Sequence, residues 1–282
     1  MIEIQQYNSN NRMKAVDPGP LVTLTTDFGL ADHYVGTMKG VLLSRCPGAR
    51  IVDISHDIPP FSIHVAAYTI DQAAGYFPHA TIHVIVVDPG VGTARKPLLL
   101  EALGQRFIAP DNGVLSLVGV RDPNASAREL ANRDLWLPSV SSTFHGRDVF
   151  APVAAALASG AAKAEDVGPK LGSIELLSDL QPQETTPGRW RGRLLSIDRF
   201  GNAITNFRSS AFEAISSRPF ALQIASSRVS KFQKTFTGAP SSVCFAYFGS
   251  SGYIEIGMYQ KSAAARLKAS PGDLLELKLL PK

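Results

Sequence analysis

The sequence predicts an α/β domain with a mainly parallel sheet flanked by helices, followed by a small all-β barrel. Between residues 20 and 180, short apolar segments alternate with segments of helical periodicity, which is typical of a parallel sheet covered on both faces. From residue 189 to residue 282, six short β segments follow one another, as in small antiparallel barrels and sandwiches. Residues 181–188 contain two prolines and few apolar side chains, which predicts a linker.

The first domain begins with a predicted strand at Leu21–Thr26, which is rich in Val, Leu and Thr. Apolar residues recur at helical spacing in three segments, namely Tyr34–Arg45, Ile63–Phe77 and Arg147–Ser159. Pro47-Gly48 ends the first of these helices and Gly160 the last. The other predicted strands of this domain are Arg50–Ser55, Thr81–Val87, Pro97–Glu101 and Gln105–Ala109.

The predicted strands of the second domain are Gly192–Ile197, Ala203–Asn206, Phe220–Ala225, Ser242–Phe248, Tyr253–Gly257 and Leu274–Leu280. The Phe-Gly-Ser-Ser-Gly-Tyr sequence at 248–253 is typical of a hairpin turn between two of them.

The composition argues against a disordered, nucleic-acid-binding or membrane-spanning protein. The 282-residue chain is 45% hydrophobic and 18% charged, which fits a compact soluble protein. Its net charge of +4 is dispersed, so we expect no nucleic-acid partner. No segment approaches the ~18 apolar residues of a membrane span, and the polar residues 1–19, a predicted loose tail, lack the apolar core of a signal peptide. Cys46 and Cys244 are expected to be free thiols in the cytoplasm, with a disulfide as the less favoured alternative.

Polar residues follow four of the predicted strands, at Asp27, His56-Asp57, Asp88 and Asp111-Asn112. Because ligands of parallel sheets bind beyond the carboxyl ends of the strands, we expect these residues to cluster along one edge.

Each candidate residue also has a plain structural interpretation. Asp27 could bind the two hydroxyls of a vicinal diol such as a ribose, or could equally form a turn or cap a helix. The same two interpretations apply to Asp32. Asp88 opens a Gly-x-Gly turn that lacks the further residues of a phosphate loop, and Arg95 could pair with a surface carboxylate. His145 stands beside a glycine just before a helix. The six histidines lack metal-ligand spacing, so no metal site is predicted.

In the second domain, Asp198 and Asn202 could form a turn, or could hold an ammonium group and a purine edge. Phe200 and Phe236 could stack on a base or pack in the core.

Six strings together resemble one family, the S-adenosyl-L-methionine hydrolases that form adenosine, also called S-adenosylmethionine hydroxide adenosyltransferases. The resemblance covers Leu21 to Leu280. The strings are Thr26-Asp27-Phe28-Gly29, Tyr34-Val35-Gly36-x-Met38-Lys39-Gly40, Val87-Asp88-Pro89-Gly90-Val91-Gly92, Pro110-Asp111-Asn112-Gly113, Thr143-Phe144-His145-Gly146-Arg147-Asp148 and Asp198-x-Phe200-Gly201-Asn202.

The resemblance implies an N-terminal α/β domain, a C-terminal β-barrel domain, and a homotrimer whose substrate lies between subunits. It implies hydrolysis of S-adenosyl-L-methionine to adenosine and L-methionine by in-line attack of water on C5′, with no cofactor. The water-activating Asp-Arg-His set falls on Asp88, Arg95 and His145. The implied binding roles are ribose at Asp27, methionine at Asp32, Asp198, Ser250 and Ser251, adenine at Asn202, and stacking at Phe61 and Phe236.

By intrinsic pKa, His145 is the expected base, and Asp88 is expected to orient the water and Arg95. The halogenating relatives of this family surround their halide with a tyrosine, a threonine and a serine. Those positions correspond to Asp88, Val91 and Gly146, which disfavours a halide as nucleophile. A pocket that binds S-adenosylmethionine or adenosine without turnover is the other alternative.

Overall fold

The structure is a computed structural model that describes residues 19–238 and 240–281. Residues 1–18 of the predicted tail lie outside the described residues. The first sheet has seven strands in the order β2-β1-β3-β5-β4-β6-β7. Their bounds are β1 Leu21–Thr26, β2 Arg50–Ser55, β3 Ile82–Val86, β4 Pro97–Ala102, β5 Gln105–Pro110, β6 Ser126–Glu129 and β7 Lys170–Leu171.

The first sheet is mixed rather than mainly parallel. Strands β2, β1, β3 and β5 run parallel, whereas β4, β6 and β7 pair antiparallel. The cause is the two-residue turn Leu103-Gly104, in which both residues have positive φ. Such turns join adjacent antiparallel strands, so β4 and β5 form a hairpin.

Helices cover both faces of this sheet, as predicted. They are α1 Tyr34–Arg45, α2 Ile63–Ala74, α3 Ser116–Arg121 and α4 Ala151–Ser159, with 3₁₀ turns at Arg133–Leu135 and Ala164–Val167. Side chains of α1 and α4 pack in the apolar core on one face, and those of α2 and α3 pack in the core on the other. Helix α2 ends three residues earlier than predicted, and the segment predicted as one helix from Arg147 begins as a π-helical turn, Gly146–Phe150.

The second sheet is antiparallel and barrel-shaped, in the order β12-β11-β15-β9-β10-β14-β13. Its strands are β8 Gln183–Thr186, β9 Arg189–Ile197, β10 Ala203–Arg208, β11 Phe220–Ile224, β12 Ser227–Val229, β13 Phe245–Phe248, β14 Tyr253–Gly257 and β15 Leu274–Leu279. The same domain contains helix α5 Ala263–Leu267 and 3₁₀ turns at Ser209–Ala211 and Glu213–Ser216. A bridge between Phe232 and Ala246 joins the segment after β12 to β13, which nearly closes the barrel.

The segment predicted as a linker, 181–188, contains strand β8, which pairs with β9. Its four residues are all exposed, so a low apolar content is compatible with an edge strand held by backbone hydrogen bonds. The turn to β9 uses Gly188, whose φ is +79°.

Side chains of α3 and of the second sheet meet in one further apolar cluster, which includes Leu117, Leu195 and Tyr253. Beside it, Asp179 accepts hydrogen bonds from Arg193 of β9, at 2.6 Å, and from His64 of α2, at 2.9 Å. Cys46 and Cys244 are free thiols. Within the described ranges, no helix is long and apolar enough to cross a membrane.

Candidate active site

The carboxyl ends of the parallel strands place two carboxylates side by side. Asp27 follows β1 and Asp88 follows β3, and the two strands are adjacent. Asp27 Oδ2 accepts a hydrogen bond from the backbone N–H of Phe61 at 2.8 Å. Burial raises the pKa of Asp27 above its ordinary value, and the negative charge of Asp88 adds to that rise. The predicted clustering at this edge follows from the parallel pairing.

Asp88, Arg95 and His145 are in direct contact. Arg95 Nε donates to Asp88 Oδ1 at 2.9 Å, and Arg95 Nη2 donates to Asp88 Oδ2. The same Nη2 lies 2.9 Å from Nδ1 of His145. The side chains of Arg95 and Asp88 are only 8% and 5% exposed, and the guanidinium lies over the Phe150 ring. Arg95 therefore holds a carboxylate and an imidazole in one fixed arrangement.

Two glycines allow the loops that carry these side chains to approach. Gly92 has φ +78°, and a Cβ added there would overlap the carbonyl oxygen of Ser142. A Cβ at Gly146 would lie 3.1 Å from Met38 Sδ and 3.3 Å from Val86 Cγ1. Gly92 is therefore required for this loop conformation, and a side chain at Gly146 would displace its neighbours beside His145.

The contact with Arg95 fixes the tautomer of His145. A guanidinium is only a donor, so Nδ1 accepts and the proton of the neutral ring is on Nε2. Burial lowers the pKa of His145 below its ordinary value, and the Arg95 charge lowers it further, against the opposing effects of Asp88 and Asp148. The buried carboxylate of Asp148 also binds Arg147 and the backbone N–H of Ser141, which holds the loop before His145.

A cavity of about 410 Å³ opens at this edge. It contains Asp27, Phe61, Asp88 and His145, together with Val91 and Gly146 from the halide positions named above. Sequence reasoning missed its aromatic wall, in which Tyr34 packs edge-on against Phe144 at 5.1 Å. Tyr34 and Phe144 each lie in one of the strings that carry the family resemblance, and this was the available signal.

The second sheet carries a separate cavity of about 550 Å³. Asp198 shapes its rim, since Oδ1 accepts from the backbone N–H groups of Phe200 and Asn202 and Oδ2 accepts from the Asn202 side chain at 2.8 Å. The lining residues are Phe200, Asn202, Phe236, Met258, Tyr259, Gln260, Lys261 and Ser262. Sequence reasoning missed the last five, whose position directly after the predicted strand Tyr253–Gly257 was the available signal.

The two cavities share no lining residue, so they are separate in the described part of one chain. Phe61 is 71% exposed at the first and Phe200 is 80% exposed at the second. Asp32 and Ser250 are exposed, and Ser251 is half-buried. A larger apolar groove, of about 670 Å³ beside β6 and β7, contains none of the predicted site residues. Among the residues placed by the structure, no three metal-binding side chains lie close enough to hold an ion.

Comparison with known proteins gives two matches to family models. Residues 22–168 match the SAM hydroxide adenosyltransferase N-terminal domain, and residues 192–276 match the SAM hydroxide adenosyltransferase C-terminal domain.

Similar full-length proteins agree with these matches. The chain is 39% identical over 266 residues to the (R)-S-adenosyl-L-methionine hydrolase of Salinispora arenicola, covering 92% of this chain and 97% of that protein. It is 30% identical over 220 residues to a fluorinase of an Actinoplanes species, covering 69% and 74%. The crystal structure of an uncharacterized conserved protein from Thermotoga maritima superposes with a TM-score of 0.81 at 34% identity, covering 92% and 99%.

Proposed function

Because the chain belongs to the SAM hydroxide adenosyltransferase family, we propose that it is an enzyme that hydrolyses S-adenosyl-L-methionine to adenosine and L-methionine. The observation that carries this proposal is the contact of Asp88, Arg95 and His145 at the wall of a cavity that also holds Asp27. The relatives named as hydrolases support the same activity.

The reaction is an in-line displacement. A water oxygen forms a bond to C5′ while the bond from C5′ to sulfur breaks, and its electron pair returns to sulfur to give neutral methionine thioether. The sulfonium is already a good leaving group, so no acid and no cofactor are required. One proton of the water is released for each turnover, and a group at the cavity wall has to accept it during attack.

Asp88 is the proton acceptor in this proposal, and His145 is a donor. The single basic nitrogen of neutral His145 is occupied by Arg95, so a proton could enter only by breaking that contact. Each carboxylate oxygen of Asp88 keeps a lone pair beyond its bond with Arg95, and Asp88 lines the cavity. This assignment differs from the expectation based on intrinsic pKa, because that expectation ignores which nitrogen Arg95 occupies.

Asp27 and Asp198 are assigned to the ribose and to the methionine part of the proposed substrate. Asp27 would accept from the ribose hydroxyls through the oxygen that does not bind Phe61. Asn202 and the exposed ring of Phe200, with Phe61 and Phe236, would hold the adenine. Asp32, Asp198, Ser250 and Ser251 would contact the methionine.

Water is favoured over halide by the wall of the first cavity. The Asp88 carboxylate would repel a halide, and Val91 and Gly146 offer it no side-chain hydrogen bond. A direct test incubates the pure protein with S-adenosyl-L-methionine, with and without chloride. We expect adenosine and methionine in equal amounts in both reactions. Formation of 5′-chloro-5′-deoxyadenosine would indicate halogenation, and binding of S-adenosyl-L-methionine with no product would indicate a sensor.

A homotrimer with shared sites would account for the two separate cavities of one chain. The first cavity of one subunit would face the second cavity of the next, which covers the exposed Phe61 and Phe200 rings. We also assign the protein to the cytoplasm, which the two free thiols support.

The shared site predicts complementation between two inactive variants. Asp88→Ala disables the first half-site and Asn202→Ala the second, so co-expressed chains regenerate intact sites wherever the two undamaged halves meet. Random assembly at equal amounts gives about a quarter of wild-type activity, with sedimentation velocity reporting a trimer. Activity no greater than the sum of the separate variants would place the complete site within one chain.

The geometry at His145 predicts a neutral ring at pH 7 with its proton on Nε2. Since its pKa is lowered, kcat/KM falls only as the pH drops below the ordinary histidine value of ~6.5, where a proton added at Nδ1 would face the Arg95 guanidinium. Nitrogen-15 NMR of histidine-labelled protein checks both points, with His145→Gln identifying the signal. A resting proton on Nδ1 would contradict the Arg95 contact.

A further inference from the structure

Glu255 of β14 has a buried side chain that no step of the proposed reaction uses. It is 8% exposed. Tyr247 donates its hydroxyl to Glu255 Oε2 at 2.5 Å, and Ser251 donates to Oε1 at 2.6 Å. A Cβ added at Gly249 would overlap the same carboxylate. Two short hydrogen bonds and a closely packed backbone therefore fix Glu255 in a single position.

These contacts determine what Ser251 can offer to a ligand. A serine hydroxyl has one proton and two lone pairs. Because the proton of Ser251 is directed at Glu255, the oxygen faces its other neighbours as an acceptor. The Tyr68 phenol of α2 is among the groups near Ser251. Any further group that binds this oxygen has to be a donor.

We propose that Glu255 is a positioning residue that directs Ser251 to accept a hydrogen bond from the α-ammonium group of the substrate. This inference rests on the proposed function. It departs from the role that the family resemblance implies for Ser251, which is to hold the methionine carboxylate. A carboxylate ligand needs a hydrogen-bond donor, and the hydroxyl proton of Ser251 is already donated to Glu255.

The local charge agrees with a cationic ligand. Glu255 and Asp198 both act as negative charges on Tyr68 and Tyr247. Burial is the main cause that raises the pKa of Tyr68 to about 12, and these two carboxylates oppose its ionisation further. Negative potential at this corner favours an ammonium group over a carboxylate.

Glu255 also supports the wall of the second cavity. The Tyr247 ring packs against Phe236 with centroids 5.0 Å apart, and Phe236 lines that cavity. The hydroxyl bond to Glu255 therefore fixes the ring behind the proposed adenine site, next to the proposed ammonium contact.

The test compares Glu255→Gln with Ser251→Ala and their double variant. Glutamine keeps the shape but would present an amide N–H₂ to one of the two hydroxyls. We expect KM for S-adenosyl-L-methionine to rise about tenfold in each single variant, since charge-assisted hydrogen bonds are the stronger ones. We expect kcat to change less than about threefold and the double variant to be no worse than either single variant, because both remove one interaction. Glu276→Gln, at an exposed glutamate of β15, is the matched control.

Decarboxylated S-adenosylmethionine identifies the group that Ser251 contacts, since it keeps the ammonium and lacks the carboxylate. We expect the two single variants to lose as much affinity for this compound as for the complete substrate. A loss that disappears with the decarboxylated compound would show that Ser251 binds the carboxylate and would overturn the inference. Independent, multiplicative effects of the two substitutions would overturn it as well.

Equilibrium binding separates this inference from the proposed function. If the wild type binds S-adenosyl-L-methionine without turnover, the proposed hydrolysis fails, and the same comparison is made with dissociation constants. Adenosine, which lacks the amino acid, should bind Ser251→Ala within about twofold of wild type, and Glu255→Gln should lose less affinity for adenosine than for the complete substrate. An equal loss of adenosine affinity would mean that Glu255 acts only on the barrel structure. Should Glu255→Gln not fold, Tyr247→Phe and Gly249→Ala disturb the same carboxylate and give the same readouts.

Discussion

Replacing Asp88 with asparagine is expected to lower kcat by about 10²–10⁴-fold and to leave KM near the wild-type value. Asparagine keeps the shape and one oxygen acceptor for Arg95. It cannot take the proton that water releases as the C5′–O bond forms. Because Asp88 acts on the nucleophile rather than on the bound nucleoside, the loss belongs to the chemical step.

The measurement is a steady-state comparison of adenosine formation, with adenosine dissociation constants for both proteins. Asp57→Asn is the matched control, since Asp57 also follows a strand at the same sheet edge but is exposed and outside the cavity. An Asp88→Asn enzyme with kcat within about threefold of wild type would remove Asp88 as the proton acceptor.

Replacing Arg95 with methionine is expected to abolish measurable turnover and to lower the free energy of unfolding by about 3–5 kcal/mol. Methionine fills part of the same volume, but the buried Asp88 carboxylate then loses both of its guanidinium bonds. His145 loses the donor to Nδ1 in the same step. Catalysis and stability depend here on one side chain.

Denaturant unfolding measures the stability change, and Asp88→Asn/Arg95→Met separates its causes. With the charge at residue 88 removed, we expect the double variant to regain much of the lost stability and none of the activity. Arg189→Met is the control, because Arg189 pairs with Glu276 at the exposed surface and should change stability by less than about 1 kcal/mol. Equal losses in Arg95→Met and Arg189→Met would contradict a buried ion pair.

The sequence predicts the two carboxylates of the sheet edge because their position depends on a local rule. Asp27 and Asp88 each end an apolar strand, and parallel strands bring such ends together. The contact between Arg95 and His145 depends on loops fifty residues apart that meet through Gly92 and Ser142. The spacing of residues in the sequence does not predict a contact between two distant loops, and only the family resemblance suggested it.

The prediction of a linker at 181–188 and the absence of Glu255 from the candidate residues both have physical causes. The segment that contains β8 is predicted as a linker because it has two prolines and few apolar side chains, whereas in the structure its exposed residues pair with β9. Glu255 alternates with Ile254 and Ile256 in β14, a pattern that predicts an outward, solvated side chain. In the folded chain that face is covered by Tyr247 and Ser251, so the polar position is buried.

The position of β15 in the second sheet has a consequence for biosynthesis. This strand comes late in the sequence, yet it lies between β11 and β9, near the middle of the barrel. While a ribosome is still producing residues before Leu274, both neighbours have open edges that can pair with other chains. A nonsense mutation between Ser262 and Leu274 would therefore leave an aggregation-prone fragment, even though every residue named in the two half-sites had already been translated.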